Sequence, residues 1–510
     1  MNILSVTHKK IYGFLLFLFI GAQTFAQDSS DDIKPYLTDN DLPNGELFLQ
    51  TPPDSSELNY VDDFTQWIWG KSKRKTDRGK QATLDGQYGI NRQATIYGDL
   101  LYLSINKTNT PAIWNLFERI TATCSYITSH VKQKFGRVRP FVQMHEHLYG
   151  SLESESRVAQ TFSYPSGHTV LGWITAMAMA EVAPKSQNGI MRKGYEYGES
   201  RVIVGAHWQS DVEAGRLLAS AAYARLRGNA EFASDLMAAK NEYETKMGIP
   251  APATVPTPGL KQILGAPIDS LSYRYYDDVV KYWQAKKLRN TKRGQTAIKD
   301  ADYSKESLLK NFSNEIGFEL STKKTPNIVK LFNHVWQKLL DGSSTMKALY
   351  FRRRPYIQFD ENSAIPDSET TSSNSSSYPS CHSMLGWGMS LFLTELMPEY
   401  QNQIIIRGYE IGESNVITGY NFSSDVQAAR LMAAAIFSQI QSDETFKQLY
   451  PKAVEEYKKI KPESTDIEEL IVNQDDNHED PPSFDVNGRR VNSIQKNNIY
   501  IIDGKKRIIK

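Results

Sequence analysis

The stretch Gly198–Leu226 reads GESRVIVGAHWQSDVEAGRLLASAAYARL, and its second half decides the fold. From Asp211 to Leu226 apolar residues recur at i, i+3 and i+4, the period of an amphipathic helix. Gly228 follows as a helix stop. The same text returns 214 residues later as GESNVITGYNFSSD at Gly412–Asp425, running into DVQAARLMAAAIFSQI at Asp425–Ile440. Two key words change between the copies: Arg201 becomes Asn415 and His207 becomes Asn421.

The repetition extends outward. Asp62-Asp63 matches Asp277-Asp278, RGKQA at Arg78 matches RGQTA at Arg293, and TPAIWNLF at Thr110 matches TPNIVKLF at Thr325, all 215 apart. From SYPSGH at Ser163 and SYPSCH at Ser377 the offset is 214, so one residue was lost between them. A repeating unit of this size folds as a domain rather than stacking as a solenoid. Period-two alternation is scarce outside the C-terminal tail, so the chain is predicted to be all-α, two tandem helical bundles with a short β-hairpin-like tail.

The boundaries expected are a signal peptide over 1–26, a first domain over 27–247, a Pro-rich linker over 248–259, a second domain over 260–460, and an acidic linker and β-prone tail over 461–510. Alternating prolines in GIPAPATVPTPG favour an extended spacer. The tail's IYIIDGKKRIIK sets two β-prone runs around Asp503-Gly504, a hairpin signal that resembles the sorting tails of some exported bacterial proteins.

The first residues are of another kind. His8-Lys9-Lys10 precedes the apolar run Ile11–Ala22, and Thr24-Phe25-Ala26 places small residues where an export peptidase reads. Export to the periplasm is the expectation, with the cell surface or the medium as alternatives. Loss of Lys9 and Lys10 takes the formal charge from +1 to −1, which offers no general field for nucleic acid. After Ala26 no segment is apolar for long enough to span a bilayer; VLGWITAMAMA at Val170–Ala180 is stopped by Glu181 and Pro184. The two cysteines, Cys124 and Cys381, fall in different halves, so no disulfide framework is expected.

Three segments of the first copy carry chemistry. In KQKFGRVRP, Lys132 and Arg139 stand seven apart, a spacing that predicts one helical face, with Pro140 marking the helix end. In PSGHTVLGW, Ser166 and Gly167 open a helix whose unpaired N–H groups suit an anion, with His168 beside it. In SRVIVGAHWQSD, Arg201 offers a planar fork of donors for phosphate oxygens. His207 and Asp211 are four apart, so the carboxylate can hold Nδ1–H and leave Nε2 as a nucleophile.

Together these segments match the pattern K-x6-RP, PSGH, SR-x5-H-x3-D of the phosphatidic-acid-phosphatase type 2 superfamily. The wording SYPSGHT, GYEYGESRV and GAHWQSDVEAGR is closest to the bacterial class A non-specific acid phosphatases, over roughly Leu47–Lys246 and, more weakly, over the second copy. The resemblance implies an exported phosphomonoesterase. Lys132, Arg139, Arg201, Ser166 and Gly167 would hold the phosphate, His207 would become phosphorylated, His168 would act as acid and base, and Asp211 would orient His207. It implies no cofactor and no metal. Nucleotides, sugar phosphates and aryl phosphates would all present the same group.

The second copy keeps Lys347, Arg354, Ser380, His382 and Asp425, but has Cys381 for the glycine, Asn415 for the arginine and Asn421 for the nucleophile. Asparagine cannot form the covalent intermediate, so this copy is expected to be a degenerate site with a structural role, pairing with the first inside one chain. Two rivals share the motif or part of its chemistry: vanadium-dependent haloperoxidases and a phosphate-binding protein without turnover. Membrane lipid phosphatases share it too, but lack of a later span disfavours them.

Overall fold

The structure is a computed structural model and describes residues 33–150, 154–248, 256–461 and five short tail strands. The expected signal peptide, most of the Pro-rich linker and the acidic stretch Asp475–Pro482 lie outside the described residues.

Two parallel series of helices fill the chain. The first runs Tyr60–Lys73, Asp77–Leu84, Ile90–Leu101, Pro111–Phe135, Pro140–Gln143, Gly167–Val182, Gln187–Ile203, Gln209–Arg227 and Ala230–Met247. The second runs Tyr273–Lys286, Lys292–Lys299, Lys305–Ile316, Pro326–Lys347, Pro355–Gln358, Cys381–Leu396, Gln401–Thr418, Ser423–Ile440 and Glu444–Ile460. The all-α expectation therefore holds for both copies. Among the described residues no helix is long and apolar enough to cross a membrane.

Each copy is built around a helix that is apolar on every side. In Gly167–Val182 every residue after Gly167 is buried, as a helix without a polar face must be. Small residues let its neighbour come close: a Cβ on Gly194 would sit 2.4 Å from the Ala176 Cβ. That close crossing brings the end of Gln187–Ile203, with Arg201, toward the start of Gly167–Val182, with His168. Gln209–Arg227 closes the third side, tied by the Trp173 indole donating to Ser220 Oγ at 3.0 Å.

One hydrophobic core runs through both copies. Gln209–Arg227 packs on Cys381–Leu396, Ser423–Ile440 packs on Gly167–Val182, and Tyr60–Lys73 lies against its own counterpart Tyr273–Lys286. These reciprocal crossings give the seam a pseudo-two-fold character. At its centre Arg227 lies 3.4 Å from Glu181 and 3.6 Å from Glu395, and donates to Gln441 at 2.9 Å. Gln441 occupies the position equivalent to Arg227, and Glu395 that equivalent to Glu181.

In the tail, Ile499–Ile502 pairs antiparallel with Lys505–Ile509 within a sheet that also holds Glu468–Leu470, Ser483–Asp485 and Arg490–Val491. Asp503-Gly504, where the turn is expected, lies outside the described residues.

Candidate active site

The long helix Pro111–Phe135 does not continue to Arg139. It stops at Gly136, which takes the left-handed φ of 56°, and Arg139 is extended at φ −75°, ψ 150°. The expectation of Lys132 and Arg139 on one helical face is thus corrected: Pro140 disfavours helical geometry at Arg139, and glycine caps the turn before it. Both cations nonetheless arrive at one place. Lys132 Nζ donates to the Phe162 carbonyl at 2.8 Å, and Arg139 Nη2 reaches the same oxygen at 3.2 Å.

His207 meets them from a separate loop. Gly205, at φ 84°, turns the chain after Gln187–Ile203, and the backbone N–H groups of Ala206 and His207 donate to the Arg201 carbonyl at 3.0 and 3.2 Å. The Gly205 carbonyl accepts from Phe141 N–H at 3.1 Å, fixing the loop to the Arg139 segment. Arg139 Nη1 then donates to His207 Nε2 at 3.0 Å. A guanidinium only donates, so Nε2 is the bare nitrogen and Nδ1 carries the proton.

Nδ1 faces Asp211 Oδ2 at 3.4 Å, long for a hydrogen bond. The carboxylate is committed elsewhere first: Oδ2 accepts from Trp208 N–H at 2.8 Å, and Oδ1 accepts from Arg137 at 2.7 Å. Burial, then Arg139, Lys132, Arg201 and His168, hold the His207 imidazole well below its ordinary pKa. It is neutral, with four positively chargeable groups within electrostatic reach. Lys132 is likewise held well below the usual lysine range, by burial and then by Arg139.

The remaining predicted residues sit at the head of Gly167–Val182. Ser166 caps this helix, accepting from Thr169 N–H at 3.4 Å, while its own N–H donates to the Asp211 carbonyl at 3.0 Å. A Cβ on Gly167 would approach only Thr128 Oγ1, at 3.9 Å, so the protein itself leaves room there. His168 is buried, with Nε2 3.1 Å from the Gly86 carbonyl and its ring edge-on to Tyr88 at 5.0 Å.

Arg137 and Asp63 belong to the site although the motif reading passed over them. Arg137 Nη1 reaches Ser210 Oγ at 2.6 Å and Asp211 Oδ1 at 2.7 Å, while Nη2 reaches Asp63 Oδ2 at 2.6 Å. Arg352 repeats this with Ser424, Asp425 and Asp278 at 2.8, 2.6 and 2.8 Å. The signal was present in the repeat, where Asp63, Arg137 and Ser210 all have identical counterparts.

The second copy preserves the scaffold around altered groups. Arg354 donates to the Tyr420 carbonyl at 3.0 Å, and Lys347 donates to the Ser376 carbonyl. Asn421 turns its amide to the Ser377 carbonyl at 2.6 Å, and Asn415 bonds its own helix at Ile411 O, 3.1 Å away. Burial foremost pushes the Cys381 thiol up, which keeps it protonated and disfavours it as a replacement nucleophile. His382 is brought down to about 4, chiefly by burial, and Lys347 to about 8, by burial and Arg354.

Outside this geometry two of the described histidines pair with carboxylates. His147 Nδ1 meets Glu155 at 2.8 Å and His334 Nε2 meets Asp443 at 2.8 Å.

Comparison with known proteins agrees with the duplication. The family model described as the PAP2 superfamily matches residues 116–237 and again 332–442. A non-specific acid phosphatase of Providencia stuartii is 33% identical over 213 residues, 41% of this chain and 84% of that protein. One from Salmonella typhimurium is 32% identical over 219 residues, 43% of this chain and 87% of its own length. An acid phosphatase of Zymomonas mobilis is 34% identical over 199 residues, 39% of this chain and 75% of that protein.

Proposed function

The chain belongs to the PAP2 superfamily, and from that premise we propose that its first copy is an acid phosphatase working through a phosphohistidine on His207. Similarity to proteins named acid phosphatases supports the reaction class. The observation that carries the mechanism is the bare Nε2 of His207 held 3.0 Å from the Arg139 guanidinium.

A phosphomonoester dianion is gripped by Lys132, Arg139 and Arg201, with the Ser166 hydroxyl and Gly167 N–H as further donors. Nε2 attacks phosphorus, the P–O bond to the leaving alkoxide breaks, and His168 supplies its proton. The Gly86 carbonyl fixes Nε2–H of His168, so Nδ1 is the nitrogen that gives and later takes the proton. Water then attacks phosphorus, His168 removes its proton, and the N–P bond breaks to free His207. Phosphoryl transfer asks chiefly for positioning and charge stabilisation, which the fixed cations supply with no metal or cofactor. Arg137 fixes Asp211, and Asp211 keeps the Nδ1 proton of His207 on the correct side.

The second copy is catalytically silent and serves as the first copy's permanent partner. Asn421 cannot be phosphorylated at nitrogen, and Asn415 removes a cation. The protein acts after export, on small phosphomonoesters such as nucleotides, sugar phosphates and aryl phosphates.

The test is phosphate release from a substrate panel by wild type, His207→Ala and His382→Ala. His207→Ala is expected to abolish turnover and His382→Ala to leave it nearly intact. Acid-labile, base-stable phosphate trapped on wild type and missing from His207→Ala would identify the intermediate. Undiminished turnover by His207→Ala overturns the mechanism.

A further inference from the structure

Beside the seam lies a cavity of about 200 Å³ bounded by residues of both copies. Matching pairs face it, among them Tyr195 with Tyr409, and Arg216 with Arg430. Lys132, Arg139, His168, Arg201 and His207 are not among its lining residues, so it is separate from the phosphate site. Exposed Gln50 and Thr51 stand on its wall and open it toward solvent.

Four cations line this cavity, and three of them are ion-paired. Arg274 meets Asp62 at 3.2 Å and Glu213 at 3.6 Å, Lys281 meets Asp277 at 2.7 Å, and Arg430 meets Glu413 at 3.0 Å. Arg216 is the exception. It is 2% exposed, stacks 3.8 Å from the Tyr195 ring centroid, and donates from Nη2 to the Tyr195 carbonyl at 2.9 Å. Its Nε has no hydrogen-bond partner among the described residues. The reason lies one helix away: Glu199, the counterpart of Glu413, is engaged by Arg78 at 3.0 Å. The Nε of Arg430 is also without a partner among the described residues.

Arg216 is thus the one cation on this wall without a carboxylate partner among the described residues, and a buried charge calls for a partner of opposite sign. We infer that this cavity binds a small aromatic carboxylate, its acid group on Arg216 and its ring against Tyr195 and Tyr409. A cavity of about 150 Å³ already accommodates benzene, so the volume suits one ring with its acid group. A single charge is favoured over a phosphate dianion because only one guanidinium is unmatched and Glu213 stands on the same wall.

Calorimetric titration of the full chain with benzoate, and with benzamide as the neutral analogue, tests this. Benzoate binds with one site per chain, and benzamide binds about tenfold more weakly or worse. Arg216→Gln weakens benzoate by about tenfold, the loss of one charge-assisted contact. His207→Ala leaves it unchanged. Ala428→Leu fills the cavity without touching a charge and abolishes binding; it decides the matter if Arg216→Gln proves unfolded by circular dichroism. Absence of benzoate binding in wild type, equal binding in a folded Arg216→Gln, or loss in His207→Ala overturns the inference.

Discussion

His207 is held neutral by its surroundings, and those surroundings are themselves held by a residue that never reaches it. Arg137 joins Asp211 to Asp63 in the buried interior, with Arg352 doing the same in the second copy. Removing one partner of a buried pair leaves carboxylates uncompensated, at a cost of about 3–5 kcal/mol. Arg137→Gln and Arg352→Gln should therefore destabilise comparably in denaturant unfolding, by about 3 kcal/mol each. Their kinetics should separate: Arg137→Gln lowers kcat by about tenfold or more, because Asp211 no longer stands against Nδ1, while Arg352→Gln leaves kcat of the folded enzyme unchanged. The candidate site residues could be proposed from the sequence because chemistry demands particular side chains at particular spacings, and the fold brings Lys132, Arg139 and His207 together. The role of Arg137 was not legible, since the repeat marks it and Asp63 as shared by both copies but cannot show that residues 74 apart meet.

At the scale of elements, helix ends do most of the positioning. Gly136 ends one helix and sends Arg139 across a loop, while Gly167 begins another with His168 beside it. Helical periodicity located these helices well, but seven-residue spacing overran the true end because a left-handed glycine cap carries no periodicity. The second copy tests what Gly167 contributes. Gly167→Cys places a Cβ where only Thr128 Oγ1 lies near, at 3.9 Å, so unfolding free energy should change by no more than about 0.5 kcal/mol. KM for a phosphomonoester should nevertheless rise by about tenfold, as the side chain crowds the backbone donor. A large fall in thermal stability instead would assign the glycine to folding.

For the whole molecule, the repeat announced two copies and prompted the expectation that they pair inside one chain, but the residues that make the shared core were not legible, because seam contacts join residues hundreds of positions apart. Burial pushes Glu181 up to about 7, with Glu395 opposing and Arg227 and Tyr223 favouring its charge; Glu395 is also raised, by burial first. Gln441 donates to Glu395 at 2.6 Å. A carboxyl raised on folding contributes stability that is complete below its unfolded pKa and is lost as pH rises through the folded value. Thermal stability should therefore fall between about pH 5 and 8, with Glu181 accounting for on the order of 2–3 kcal/mol. Glu181→Gln should flatten that slope in melts recorded across the range; an unchanged slope would remove Glu181 as its source.

The mismatch of Arg227 with Gln441 has a historical consequence. Subunits that are products of one repeated gene must write each change on both sides of their axis at once. Two halves carried on a single polypeptide inherit their faces separately, so one can surrender an arginine, or a histidine, while its sibling keeps both.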